Sequence, residues 1–236
     1  MNLGLRILLE DEHCLAVVKP AGQFVQGVWA PPGEQTLEQA VRAYLDPSDP
    51  ASVYLGIVHR LDRPVSGVLI WAKTAKAARR LSMQFERRRV LKEYWAIVEE
   101  TGTPPVEEGT WTDWLTAPGV SGVVQAVPAG TLGARQAVTR FQFDQAKQVP
   151  SGWRWLRLWP ETGRTHQLRI QSAARGMPIL GDAPYGSVTA FPQGIALHAR
   201  TLRVRHPMLQ TPLELTAPLP ACWAEQGIIL GPERSG

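Results

Sequence analysis

The sequence predicts an α+β protein built on a largely antiparallel mixed sheet, and three observations predict it. Arg135–Phe143 and Trp153–Trp159 alternate with a period of two, the spacing of strands with one covered face. Gly67–Ala72 is a continuous apolar run, the pattern of a strand buried on both faces. The helical stretches are few and follow no regular βαβ order.

Taken from the N-terminus, the apolar runs Leu5–Leu9 and Leu15–Val18 flank a turn-like Glu10-Asp11-Glu12 and read as two strands. Lys19-Pro20-Ala21-Gly22 ends the second. Thr36 is placed to cap a helix running to about Leu45, stopped before Pro47. After a Pro/Ser/Asp-rich loop come Tyr54–Val58, a polar knot from His59 to Pro64, and the Gly67–Ala72 strand. Thr74 is placed to cap a second helix through about Arg89, with Ala78, Leu81 and Phe85 on one face. Lys92–Glu99 reads as a strand, and 101–133 as loops around a strand holding Trp111 and Trp114. Beyond the two alternating strands, Thr165–Ala174 reads as a short helix and Ala196–Arg205 as a strand. The tail after Pro218 carries little signal. No repeat or low-complexity segment interrupts the chain, and residues 1–236 are expected to form one catalytic domain.

Composition sets the class. Of 236 residues, 44% are hydrophobic and 19% charged, enough apolar material for a sizeable core and too little charge for disorder. The two cysteines, Cys14 and Cys222, are far apart and in no metal-ligand spacing, so reduced thiols in a cytoplasmic protein are expected. Charges at Arg6, Glu10, Asp11 and Glu12 break the N-terminal apolar run, so no signal peptide is expected there. No stretch approaches the roughly 20 apolar residues of a membrane helix. The net charge of +4 is a mild bias toward anionic partners. It is concentrated: residues 73–93 hold eight basic side chains against Glu86 and Glu93, more excess charge than the whole chain. A solvated helix whose C-terminal arginines complement its dipole would account for this. The concentration favours a phosphate-contacting face carrying Arg79, Arg80, Arg87 and Arg88.

Two polar clusters carry candidate chemistry. In His59-Arg60-Leu61-Asp62-Arg63-Pro64-Val65-Ser66-Gly67 a carboxylate sits between two arginines, in a loop between apolar strands. By itself this is equally a surface salt-bridge cluster. In Thr162-Gly163-Arg164-Thr165-His166-Gln167-Leu168-Arg169 a glycine turn leads into a helix start crowded with donors, a setting suited to anionic or carbonyl-bearing partners. Alone it reads as a capped helix with solvated charges. His59 and His166 have no evident third ligand and read as hydrogen-bonded structural histidines. Trp153, Trp155 and Trp159 share one parity of their strand; they invite a stacking-platform reading but are expected in the core.

Together with their flanks, these clusters resemble the RluA family of RNA pseudouridine synthases. The resemblance runs through Ile7–Glu12, Val18–Gly22, His59–Gly67, Lys92–Ala96, Gly163–Ile170, Gly181–Gly186, Leu197–Ala199 and His206-Pro207, nearly the whole chain and in the family's order. It implies a pseudouridine synthase sheet with a central catalytic cleft, acting without a cofactor or metal on structured RNA, ribosomal or transfer. It implies Asp62 as the catalytic carboxylate, Arg164 as the basic residue paired with it, and Tyr94 as the active-site tyrosine. Arg60 is similar to the residue that fills the space left by an extruded base, an extrusion that costs a few kcal/mol. Val65 stands where the family usually has Thr, which removes a hydroxyl beside the loop. Because the catalytic pattern starts within the first ten residues, no N-terminal accessory RNA-binding domain is expected. A monomer is the simplest assembly. Two rival readings are a non-catalytic RNA-binding protein of the same fold and another carboxylate enzyme such as a glycoside hydrolase. The intact set Asp62, Tyr94 and Arg164 weighs against the first. The lack of a second carboxylate in a comparable motif weighs against the other.

Overall fold

The computed structural model describes residues 4–27, 30–100, 106–119 and 122–231. The chain opens with strands β1 (Arg6–Glu10) and β2 (Cys14–Lys19), helix α1 (Leu37–Leu45), β3 (Gly56–Ile57), β4 (Ser66–Ala72) and helix α2 (Ala75–Glu86). Strands β5 (Leu91–Glu99), β6 (Glu108–Leu115), β7 (Ala126–Val127), β8 (Arg135–Asp144) and β9 (Trp153–Pro160) follow. Helix α3 (Gln167–Ala173), strands β10 (Leu197–Arg205) and β11 (Pro212–Thr216), and helix α4 (Ala221–Glu225) complete it. These elements divide into two compact units, Met1–Lys92 with Ala199–Pro218 and Glu93–His198 with Leu219–Gly236. No helix among the described residues is long and apolar enough to cross a membrane.

In the first unit the strand order is β1-β2-β4-β10, with β11 on β10 and β3 on β4. Asp11 makes the first hairpin. Its Oδ1 accepts from the amides of His13 and Cys14 at 2.7 and 2.8 Å, a side-chain turn that lets β2 return along β1. Both faces of β4 are covered and all seven of its residues are buried, which is why its sequence is apolar without alternation. The two helices begin where capping chemistry places them. Thr36 and Gln39 form a reciprocal capping box on α1, and the Thr74 hydroxyl accepts from the Ala77 amide on α2. Helix α2 stops at Glu86, three residues short of expectation. Arg88 adopts φ +53°, and the amide of Arg89 turns back to the Gln84 carbonyl at 2.9 Å. The chain therefore leaves the helix through a left-handed turn.

The second unit is a meander with strand order β5-β9-β8-β6-β7, antiparallel in its recorded registers. Its covered face carries Trp111, Leu115, Ala137, Phe141, Phe143, Leu156 and Leu158. The register pairs Phe141 with Leu158 and Phe143 with Leu156, so the leucines of β9 take the core side. That corrects the expectation for the tryptophans. Trp155 is buried, but Trp153 and Trp159 are only half-buried, and the Arg140 and Arg157 guanidinium groups lie 4.8 and 5.0 Å from the Trp159 ring. The alternation of β9 holds, but its inner face belongs to the leucines rather than to the larger aromatics. The tail is also more ordered than its sequence implies, since α4 buries Trp223 and Cys222.

Gly67 fixes the start of β4. Its φ is +127°, and a Cβ there would run into the backbone oxygen and nitrogen of Ala199 on β10. Any side chain must therefore both strain the backbone and push β4 away from β10. Gly67→Ala is expected to lower unfolding stability by about 3 kcal/mol or more, measured as a shift in denaturant midpoint at unchanged slope. A midpoint within error of the parent would contradict this packing.

Candidate active site

The loop that carries Asp62 is built on a buried cation. Lys19, the last residue of β2, is fully buried, and its Nζ donates to the carbonyls of Pro20, Arg63 and Val65 at 2.9, 3.0 and 2.7 Å. Three acceptors with no donor among them match the three protons of an ammonium group. Burial pushes the amine down to about 7, with Asp62 pulling it back up and Arg63 adding to the depression. The loop is held from other sides as well. The Val65 amide closes a turn onto the Asp62 carbonyl at 3.1 Å, and the Gly22 amide donates to the Arg63 carbonyl at 2.8 Å. Arg63 returns a bond to the Gly22 carbonyl and lies over the Phe24 ring. Asp62 is thus presented half-buried, with Leu61 and Val65 buried beside it, while Arg60 remains exposed. Val65, at the position of the usual Thr, is 2% exposed and takes part through its backbone.

His59 stands at the other end of this loop and is structural, as expected. Its Nε2 accepts from the Ile70 amide at 3.0 Å, its ring stacks on Phe85, and burial pushes it down to about 3, so it is neutral.

The four arginines singled out on the basic segment do not share one environment. Arg79, Arg87 and Arg88 are exposed. Arg80 is half-buried and donates to the Pro207 carbonyl at 2.9 Å, so it braces the β10–β11 turn.

Tyr94 and Arg164 belong to the second unit. Tyr94 lies half-buried on β5, opposite Leu158 of β9. Arg164 occupies the turn before α3, where Gln167 organises the backbone. The Gln167 Oε1 accepts from the Arg164 amide at 3.0 Å and the Thr162 hydroxyl at 2.7 Å. Its Nε2 donates to the Val138 carbonyl and the Thr139 hydroxyl at 3.0 and 2.8 Å. All four hydrogen-bonding positions of one buried amide are used. The Arg164 Nε donates to the Gln136 carbonyl at 3.0 Å. His166 follows with φ +53°, held by a 2.8 Å contact between its Nδ1 and the Tyr185 hydroxyl, which also accepts from the Val124 amide. The Arg169 guanidinium lies over the Tyr185 ring and grips Asp182 with two bonds of 2.7 Å. Lys19, Gln167 and Tyr185 lie in segments that carry the resemblance, but nothing in composition or periodicity singles out their roles.

Among the described residues one cluster has metal-ligand atoms close together: Asp11, Cys14 and His206, all within 4.8 Å. Its hydrogen bonds describe a strap instead. The His206 Nδ1 accepts from the amides of Met208 and Leu209, which leaves the ring proton on Nε2, donated to Asp11 Oδ2 at 2.7 Å. A metal on Nε2 would need that proton moved to a nitrogen already facing two donors. The Cys14 thiol is pushed up to about 12, mainly by burial, and stays protonated.

The Lys19 amine has a pH signature. Its folded-state value lies below the ordinary 10.5, so between about 7 and 10.5 the unfolded chain holds this proton more tightly than the fold does. Wild-type stability, measured against Lys19→Met, is therefore expected to rise with pH across that window, by roughly 3–5 kcal/mol in total. A difference independent of pH would contradict a buried, titrating Lys19.

Residues 13–174 match the description RNA pseudouridylate synthase. The chain is 33% identical over 243 residues to tRNA pseudouridine synthase C of Yersinia pestis, covering 95% of this chain and 90% of that protein. It is 33% identical over 240 residues to ribosomal large subunit pseudouridine synthase D of Xanthomonas campestris pv. campestris, covering 93% of this chain and 67% of that one. Among solved structures, human RNA pseudouridylate synthase domain containing 1 superposes with a TM-score of 0.75 at 26% identity, covering 98% of this chain and 91% of the human one. A fold, an ordered set of motifs and relatives matched over almost the full chain agree, and this chain belongs to the RNA pseudouridylate synthase family, whose members are isomerases acting on RNA.

Proposed function

We propose that this pseudouridine synthase isomerises uridine in ribosomal or transfer RNA with Asp62 as its catalytic carboxylate. The observation that carries the reading is the buried amine of Lys19, bonded to the carbonyls of Arg63 and Val65, just after Asp62, and of Pro20. A loop tied down through its carbonyls suits a carboxylate that must be held in one orientation. The reaction breaks the C1′–N1 bond, turns the uracil and rejoins it through C5, which then loses its proton. Attack at C6 of the base and assistance at C1′ both use the same ionised group. In this reading Tyr94 stacks on the uracil or takes the C5 proton, and Arg164 is the basic partner of the carboxylate. Arg60, exposed two residues before Asp62, fills the place of the extruded base. The names of the bacterial relatives support both RNA classes as substrates. Arg79, Arg87 and Arg88 are proposed to contact its phosphates, with Arg80 contributing chiefly as a brace. The working form is read as a cytoplasmic monomer, a compartment that suits its two free, buried cysteines.

Asp62→Asn keeps the shape and removes the charge. It is expected to abolish tritium release from RNA labelled at uracil C5, a loss of at least about three orders of magnitude. RNA affinity, which comes mainly from phosphate contacts, should stay within about threefold of wild type. Release at the wild-type rate from a folded Asp62→Asn protein would remove Asp62 from the chemistry. No release by the wild type on total cellular RNA would favour a non-catalytic RNA-binding role.

A further inference from the structure

The turn after α2 holds an arginine where the backbone asks for glycine. Helix α2 ends in a reversal in which the Arg88 amide bonds to the Phe85 carbonyl at 3.1 Å and the Arg89 amide to the Gln84 carbonyl at 2.9 Å. Such an ending needs one residue in the left-handed region, and glycine is the usual occupant because any Cβ is strained there. Here the residue is Arg88, with φ +53°. Nothing local compensates. Arg87, Arg88 and Arg89 are all exposed, and none of the three side chains has a hydrogen bond, ion pair or ring contact among the described residues. A long cationic side chain that makes no contact in its own protein, on a backbone that strains to hold it, is unexplained by folding.

We propose that Arg87, Arg88 and Arg89 form a phosphate-binding turn for the backbone of the RNA substrate, with Arg88 retained for that contact at the expense of the fold. The reversal places three exposed arginines in succession at the end of α2, on a backbone that turns through a left-handed residue. Each guanidinium can bond a phosphate through two parallel donors. The helix C-terminus beneath adds partial negative charge, which draws the cations toward the turn without neutralising them. The inference rests on the RNA reading above and makes it specific to this turn, with no base recognition implied.

Stability and binding should move in opposite directions. Arg88→Gly relieves the left-handed strain and removes one cation. Its melting temperature should rise by about 2 °C. Its affinity for a folded RNA that the wild type modifies should fall roughly fivefold near 0.1 M salt, with the slope of log affinity against log salt reduced by about one. Arg88→Lys keeps charge and strain, and should retain most of the affinity and the full slope. Arg88→Gly binding with wild-type affinity and slope would overturn the proposal. So would Arg88→Lys losing as much as Arg88→Gly, since the defect would then not be one of charge. A wild type that neither binds nor modifies RNA would instead sink the RNA reading itself, and the two failures are read from different proteins in the same assay.

Discussion

A single ammonium group organises the loop on which the proposed chemistry depends. Lys19 sits at the end of β2 with no solvent contact; two of its three bonds go to the carbonyls of Arg63 and Val65 in the Asp62 loop and the third to Pro20. Burying such a charge is costly unless it is fully bonded and balanced. Here the carbonyls take its protons and the Asp62 carboxylate raises its proton affinity. The amine's hydrogen bonds tie the loop down, and the Asp62 carboxylate offsets part of the cost of burying its charge. Gly67 completes the arrangement by letting β4 leave the loop flush against Ala199 of β10.

The second unit uses side-chain amides and ion pairs for the same end. Gln167 and Gln171 tie α3 to the strands under it. Gln171 accepts from the Thr139 hydroxyl at 2.6 Å and donates to Asp113 at 2.7 Å, and Arg175 closes onto Asp113 at 3.0 Å. Buried networks of this kind rigidify what they hold when every member is satisfied. What they hold is the turn that presents Arg164. Its left-handed His166 is further secured through Tyr185, Arg169 and Asp182.

Much of this is legible in the sequence, because local chemistry and tertiary structure agree. Thr36 and Thr74 announce their helices through capping, and the apolar run in β4 announces a strand covered on both faces. What is not legible depends on partners distant in sequence. Nothing before the fold says that Lys19 is buried, since its acceptors lie up to 46 residues away. Helix α2 ends earlier than its sequence suggests because arginine gives no warning of a left-handed turn. The core side of β9 is hidden because residue size points to the tryptophans, and only pairing with Phe141 and Phe143 reveals the leucines. Helix α4 is five residues long, too short for a periodic pattern, and is held by the burial of Trp223. The motif positions Asp62, Tyr94 and Arg164 draw notice through their resemblance to a family, whereas Gln167 and Tyr185 acquire a role only from their hydrogen bonds.

The proton on Lys19 reports most directly on how the Asp62 carboxylate bears on the buried amine. Its Nζ can be followed by NMR as pH is varied in the wild type and in Asp62→Asn. A midpoint near 7 is expected in the wild type, far below the ordinary 10.5, and a lower one once the Asp62 charge is removed. A midpoint at the ordinary value, or one that does not respond to Asp62→Asn, would contradict it.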